Sequence, residues 1–341
     1  MRVALNTIHI LASKLLEDTG LSQDRAKLMV DTMIDTSMSG INTHGIRLLE
    51  TYKKELDAGR ANIKPTFKVQ KNRRGTLKID GDNAPGILAA HFAMDKAVEV
   101  ANEIGICSVS VANSNHFGAA SSYTISAANK GCIAFSFTNS DALVSPYSGI
   151  ESKIGTNPIA IAAPMADGKT FSLDMATSQV ALSKINDHRL NKIALNLGWA
   201  VDQQGNDSSK TNDVYSLQPL GGYKGQGLGM VVTMLCAILS DMPLDFDLSH
   251  LYCEPFDEPR KVSHFFIAIK IDSFVNVEYF KKRCKEFCES MKNDSIVGGE
   301  NIFWPGEKEE ICQRENQESI YLFEPELSFF KSLSQKYGIT F

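Results

Sequence analysis

Apolar residues recur at helical spacing near both ends of the chain, while its middle is a series of short β-rich runs. This ordering narrows the fold more than any other feature. From Asn6 to about Ser39, Leu11, Leu15 and Leu16 share one stripe and Ala26, Val30, Met33 and Ile34 another, with Gly20 and Ser22 read as a helix stop and an N-cap. A further helix is expected from Arg47. In the middle, TLKIDGDNAPG has the alternation of a strand pair with a turn, and GICSVSVANSN and GCIAFSFTNS read as strands separated by the helical YTISAANK. PIAIAAP and TFSLDMA follow as strands on either side of the turn Ala166-Asp167-Gly168. GLGMVVTMLCAILS reads as a long helix, HFFIAIKI as a buried strand, VEYFKKRCKEFCESMK as an amphipathic helix with a basic outer face, and the tail FEPELSFFKSLSQKYGI as helical. The expected class is α/β (α+β). A helical domain from residues 1–75 and 258–341 would surround an inserted sheet-rich domain of 76–257.

Composition removes several kinds of partner. The 341 residues hold 35 Lys and Arg against 40 Asp and Glu, a formal net charge of -5, with no basic stripe. Binding a phosphate backbone or an anionic membrane requires a surplus of basic side chains on one face, so neither nucleic acid nor membrane is expected. The longest apolar run, Met230 to Leu239, is about half a membrane span. The first twenty residues carry Lys14, Glu17 and Asp18 and lack the apolar core of a signal peptide. The seven cysteines form no CxxC pair, and Cys284 and Cys288 lack a second ligand pair nearby, so no metal site is expected. Scattered free thiols suit a reducing compartment, and the chain reads as cytoplasmic.

Common nucleotide and nucleophile motifs are absent. Gly225-Gln226-Gly227-Leu228-Gly229 is the nearest approach to a dinucleotide fingerprint, but its third glycine comes one place early and it follows a loop. Ala166-Asp167-Gly168-Lys169-Thr170 ends like a phosphate-binding loop, yet Ala163 stands where the first glycine is needed. GxSxG does not occur.

Three polar, glycine-bearing clusters remain. In Asn42-Thr43-His44-Gly45-Ile46-Arg47, His44 can exchange a proton near neutral pH and Arg47 can hold a carboxylate. Asn113-Ser114-Asn115-His116-Phe117-Gly118 follows an apolar run and reads as a substrate loop. The third is spread over Gly155-Thr156-Asn157-Pro158, Asp174-Met175-Ala176-Thr177-Ser178 and Gly221-Gly222-Tyr223-Lys224-Gly225. Its turns, helix start and lysine offer what a diphosphate requires. Each cluster also has a plain structural reading, as a surface histidine beside an arginine, a capped turn and a flexible connector.

Taken in order, GINTHGIRLLETY, NSNHFGAAS, TNSDALVSPYSG, GTNPIAIAAP, LDMATSQVALSKI, GWAVDQQG, LGGYKGQGLGM, HFFIAI and WPGE resemble the malate/L-lactate dehydrogenase family that lacks a Rossmann fold. The resemblance runs from about residue 40 to residue 307. It implies reversible hydride transfer between NAD or NADP and a small 2-hydroxy or 2-oxo acid, malate- or lactate-like, in a homodimer. The cofactor would lie on the sheet domain and the active site would be shared with the helical one. Position by position it makes His44 the acid that protonates the carbonyl oxygen, with Thr43 before it, and His116 the second active-site histidine. Ser140, Thr156, Asp174, Met175, Ala176, Lys224, Gly225, Pro305 and Gly306 fall on cofactor-contacting positions. Thr43, Arg47, Asn115 and Asn157 are expected on the substrate. Ureidoglycolate and a cyclic imino acid are the alternative substrates, and a nucleotide-binding homologue without turnover is the alternative from another class. Three departures stand out: Arg47 follows the histidine by three residues where many relatives have four, Gln226 replaces an aromatic, and residues 188–192 contain no proline.

Overall fold

The computed structural model describes residues 1–295, 298 and 301–341. Helices Leu5–Asp18 and Gln23–Met38 bury Leu11, Leu15, Leu16, Met29 and Met33 against Leu327 and Phe330 of the C-terminal helix Glu324–Tyr337. The two chain ends are also laced together by main-chain bonds, because strand Arg2–Ala4 pairs antiparallel with Ser319–Tyr321. Ser22 does occupy the N-cap in extended backbone, although its hydroxyl makes no capping bond. Helix Leu49–Ala58 completes this terminal core by burying Leu49, Tyr52 and Leu56.

The middle of the chain forms a seven-stranded sheet. Its spatial order is Lys68–Arg73, Thr76–Asp80, Ile106–Ser114, Val262–Lys270, Cys132–Thr138, Ile159–Pro164 and Thr170–Met175. All neighbours are antiparallel except Thr76–Asp80 with Ile106–Ser114, which are parallel. The strand expected from HFFIAIKI is therefore central to the sheet, although the sequence-based division at residue 258 groups it with the terminal helices. It can sit there because both of its faces are apolar, as a strand covered on both sides requires. Phe266 and Ala268 point to one face with Val109 and Val111, while Phe265 points to the other with Phe137. Helix Val277–Lys292 also lies away from the terminal core. Its Cys288 packs with Met165 and Trp304 beside the edge strand.

Two elements differ from the sequence reading. Thr76–Asp80 forms its hairpin with the strand before it, and the turn that follows leads into a 19-residue helix, Gly86–Ile104, before the chain returns as the parallel neighbour Ile106–Ser114. That helix shows a weak apolar stripe, since Ala89, Ala90, Ala93, Ala97 and Ala101 make up half of its buried face beside Ile87, Leu88, Met94 and Val98. The small side chains let it lie close on the sheet. Closest of all is its first residue: a Cβ on Gly86 would come 2.1 Å from the carbonyl oxygen of Asn115 and 2.5 Å from that of His116. The opposite sheet face is covered by helix Tyr223–Thr233, which runs on into a π-helical turn, Met234–Ile238, and buries Val232 and Cys236 against Phe137 and Phe265.

Gly86 thus sets the height of the backbone that carries His116. Gly86→Ala should lower stability by about 1–3 kcal/mol, the usual cost of overpacking, and displace His116; equal urea midpoints for the two proteins would refute this.

Candidate active site

His116 leaves the end of strand Ile106–Ser114, and Tyr52 reaches it from the terminal helical core. The Tyr52 hydroxyl lies 2.8 Å from His116 Nδ1, and the Gly118 N–H donates to the same nitrogen at 3.3 Å. A backbone N–H can only donate, so Nδ1 carries the lone pair. Tyr52 then donates too, and the proton of His116 sits on Nε2. His44 ends a single 3₁₀ turn, Asn42–His44, and its ring stacks on that of His116 with centroids 5.7 Å apart and planes at 23°. Thr43 Oγ1 is 2.9 Å from His44 Nδ1. Burial lowers the pKa of both rings. For His116, pushed well below the ordinary histidine value, the charges of His44, Arg260 and His264 add to burial. Both imidazoles are therefore neutral near pH 7.

Behind this pair lies a third ring. His264 of the central strand is fully buried, stacks on Phe117 at 4.7 Å, and bonds Thr138 Oγ1 and Ser114 Oγ at 2.8 Å each. Thr138 Oγ1 already donates toward the carbonyls of Asn139 and Ser263, so it accepts from His264 Nδ1. Ser114 then donates to Nε2. The neutral ring is satisfied at both nitrogens, and burial pushes its pKa down to about 3.

A cavity of about 380 Å³ opens in front of the two stacked histidines, within the range of small-ligand sites. Thr43, His44, Arg47, His116, Ser140 and Thr156 all line it, so the first two clusters and part of the third converge. The rest of the third cluster follows along the end of the sheet. Thr177 N–H donates to Thr156 O at 2.8 Å, Leu220 N–H to Thr177 O at 2.9 Å, and Gly225 N–H to Leu220 O at 2.8 Å. A Cβ on Gly225 would lie 2.2 Å from that Leu220 oxygen, so only glycine permits the approach. Met175 ends the edge strand and Ala176 follows it; Asp174 Oδ2 accepts from Ser121 N–H at 2.8 Å, and Pro305 O accepts from Ser172 N–H at 2.9 Å just before Gly306 opens the next helix. None of Asp174, Met175, Ala176, Lys224, Gly225, Pro305 or Gly306 lines the cavity itself.

These residues suit a dinucleotide whose reactive end enters the cavity. The loop's own bonds take up the N–H groups of Gly222, Gly225 and Gln226, and leave those of Tyr223 and Lys224 without partners among the described residues. Two free N–H groups at a helix start beside a lysine are a seat for a diphosphate.

Three expected substrate contacts have other partners. The buried Asn115 amide donates to the Asn83 and Ala84 carbonyls and to Asn83 Oδ1, and holds the turn before helix Gly86–Ile104. Asn157 is also buried: its amide donates to Gly229 O, Thr233 Oγ1 and Asp245 Oδ2, and its Oδ1 accepts from Ser140 N–H. Neither lines the cavity; the Asn115 NH2 group and both ends of the Asn157 amide are engaged within the fold. Arg47 lines the cavity but faces carboxylates, with Nε 3.2 Å from Glu326 and Nη1 4.0 Å from Asp187.

Sequence reasoning missed Asp141, Asp245 and Arg260. Asp245 Oδ1 and Oδ2 accept from Asn139, Gly155, Asn157 and Thr233 at 2.8–3.2 Å, which ties both pocket-lining turns to helix Tyr223–Thr233. Arg260 donates to Asp141 Oδ1 at 2.7 Å across 119 positions of sequence. No local pattern signals such pairs. Tyr52 and His264 lay inside recognisable strings, but without partners to reveal their use.

A mixed sheet without a glycine fingerprint, flanked by a terminal helical core that contributes one of two stacked histidines, marks a class of oxidoreductases outside the Rossmann fold. The chain belongs to the malate/L-lactate dehydrogenase family, which it matches over residues 3–327. It is 35% identical over 319 residues to a malate dehydrogenase of Pyrococcus abyssi, covering 90% of this chain and 87% of that one. It is 29% identical over 315 residues to the NAD(+) ureidoglycolate dehydrogenase of Escherichia coli K12, covering 92% and 90%. Among solved structures, sulfolactate dehydrogenase from Methanocaldococcus jannaschii superposes with a TM-score of 0.92 at 30% identity, covering 100% of this chain and 98% of that one.

His264 makes stability depend on acid. An unfolded histidine titrates near 6.5, so between there and about 3 the unfolded chain binds a proton the folded one refuses. Stability is lost as pH falls through that window, at up to about 1.4 kcal/mol per pH unit. His264→Gln should reduce the proton uptake on unfolding between pH 6 and 4 by about one; an unchanged slope of stability against pH would contradict the assignment.

Proposed function

We propose that the chain is an NAD- or NADP-dependent dehydrogenase of small 2-hydroxy acids, malate- or lactate-like, working as a homodimer in the cytoplasm. The observation that carries this reading is the pair of stacked, neutral histidines at the cavity wall. On this reading His44 Nδ1–H donates to Thr43 Oγ1, 2.9 Å away, so that the Nε2 lone pair serves as the base. His116 presents Nε2–H, a donor.

In oxidation, His44 takes the hydroxyl proton of the acid, while His116 Nε2–H holds the same oxygen as it becomes a carbonyl. When bound, the nicotinamide takes up the hydride, and it returns it in the reverse direction. Lowering the pKa of His44 keeps it unprotonated at neutral pH and makes its protonated form a stronger acid for reduction. Ser140 and Thr156 line the wall between this pair and the strip that leads to Lys224. The helical unit thus supplies His44 and Tyr52, and the sheet unit supplies His116. We divide the chain near residues 75 and 258, with Val262–Lys270 counted to the sheet.

All seven cysteines are free, which fits a reducing compartment. No described helix is long and apolar enough to cross a membrane. The homodimer is supported by helix Tyr223–Thr233 and its π-helical extension, which bury one face on the sheet and leave Leu228, Val231, Met234 and Ile238 exposed. An apolar stripe of that length calls for a cover.

Two measurements bear on this reading. His44→Ala should reduce turnover of a 2-oxo acid with NADH or NADPH by roughly a hundredfold or more while cofactor affinity changes little; in the wild type, kcat/KM for oxidation should rise with pH and level off below about 6.5. Unchanged turnover in the variant, or a rising limb centred above pH 7.5, would remove His44 from this role. For the assembly, Val231→Asp should shift the sedimentation coefficient from dimer to monomer, and a wild-type protein already monomeric at micromolar concentration would exclude the interface.

A further inference from the structure

We propose that Arg260 is the cationic anchor that seats the substrate's carboxylate, an inference that rests on the reading of the cavity as the substrate site. Arg260 ends the loop before the central strand, is 3% exposed, and lines the cavity. Its guanidinium is held along one edge: Nε and Nη2 donate to Ser249 O at 3.0 and 2.9 Å, and Nη2 donates to Asp141 Oδ1 at 2.7 Å. Nη1 has no hydrogen-bond partner among the described residues. Nor is it one of the side-chain atoms sealed from solvent without a partner. An atom that is neither bonded nor sealed, on a deeply buried side chain that lines the cavity, is placed to meet what enters it.

Three physical arguments favour Arg260 over Arg47. The first is rigidity: a guanidinium bonded at two of its three nitrogens has already given up its rotamer freedom, so little is lost when an anion docks on the third. The second is solvation. Arg47 is 37% exposed and lies between two carboxylates, Glu326 and Asp187, whereas Arg260 is shielded from water, where a charge–charge contact is screened less. The third is position, since the charge of Arg260 reaches the His116 ring and contributes to lowering its pKa. Arg260, His44 and His116 line the same cavity, so a small acid with its carboxylate on Arg260 Nη1 shares that space with the two histidines. Asp141 is a positioning residue in this scheme: it holds Arg260 and touches no substrate.

The test uses full-length protein, a 2-oxo acid that it reduces together with the corresponding 2-oxo amide, and oxalate as a non-reacting carboxylate. Arg260→Gln should raise KM for the acid at least tenfold, leave NAD(P)H affinity within about twofold, and abolish the preference for acid over amide; Arg260→Lys should recover part of the loss. Asp141→Asn, which retains the arginine but frees one of its bonds, should raise KM severalfold with kcat nearly constant, and stands in if the arginine variants do not fold. A purely structural role would instead weaken acid and amide equally. That result, or a loss of acid preference confined to Arg47→Gln, overturns the proposal. Calorimetry of oxalate binding to the NAD(P)H-saturated protein separates the two readings. Tenfold weaker binding in Arg260→Gln, with no acid turned over by the wild type, would sink the dehydrogenase reading and keep the anchor; equal binding would sink the anchor whatever the turnover.

Discussion

One buried carboxylate holds the site together. Asp245 is 1% exposed and accepts from the Asn139 amide, the Gly155 N–H, the Asn157 amide and the Thr233 hydroxyl. Four donors fill the acceptor capacity of a carboxylate, which is what makes its burial tolerable. Those donors come from the turn after strand Cys132–Thr138, the turn before strand Ile159–Pro164, and helix Tyr223–Thr233. Ser140 and Thr156 reach the cavity from the two turns, and the helix begins at the glycine-rich loop bearing Lys224. The cavity wall and the anion seat therefore keep their spacing through a group that touches neither.

The chemistry depends on a second constraint, the meeting of two cores. His44 and Tyr52 belong to the helical unit and His116 to the sheet, and the bond from Tyr52 to His116 Nδ1 crosses between them. That crossing decides which nitrogen of His116 carries the proton. A histidine pair could otherwise hold its protons in several arrangements; here Tyr52 and Gly118 leave the proton of His116 on Nε2, and Thr43 Oγ1 lies 2.9 Å from His44 Nδ1.

The parts of the site legible in sequence were those whose signal is local. His44 and His116 stood in polar, glycine-bearing strings that interrupt apolar sequence, and such strings mark loops at the ends of elements. Asn115 and Asn157 stood in the same strings and had the same appearance, yet their amides satisfy backbone carbonyls and a buried carboxylate. An asparagine facing a ligand and one facing its own fold look alike until the partners are known. The helix Gly86–Ile104 escaped for another reason: half of its buried face is alanine, which packs closely and weakens the contrast on which periodicity depends.

By itself the sequence determined terminal helices around a run of central strands, the lack of a strand–glycine–helix fingerprint, and the two histidine clusters, because periodicity and turn chemistry act over a few neighbouring residues. Tertiary structure alone decided that Val262–Lys270 crosses to the centre of the sheet, that Asp245 gathers three segments, and that Arg260 meets Asp141 from 119 positions away. The physical reason is desolvation. A buried polar group must find a partner wherever packing places one, and that requirement is enforced in space, with no trace in the local pattern of the chain.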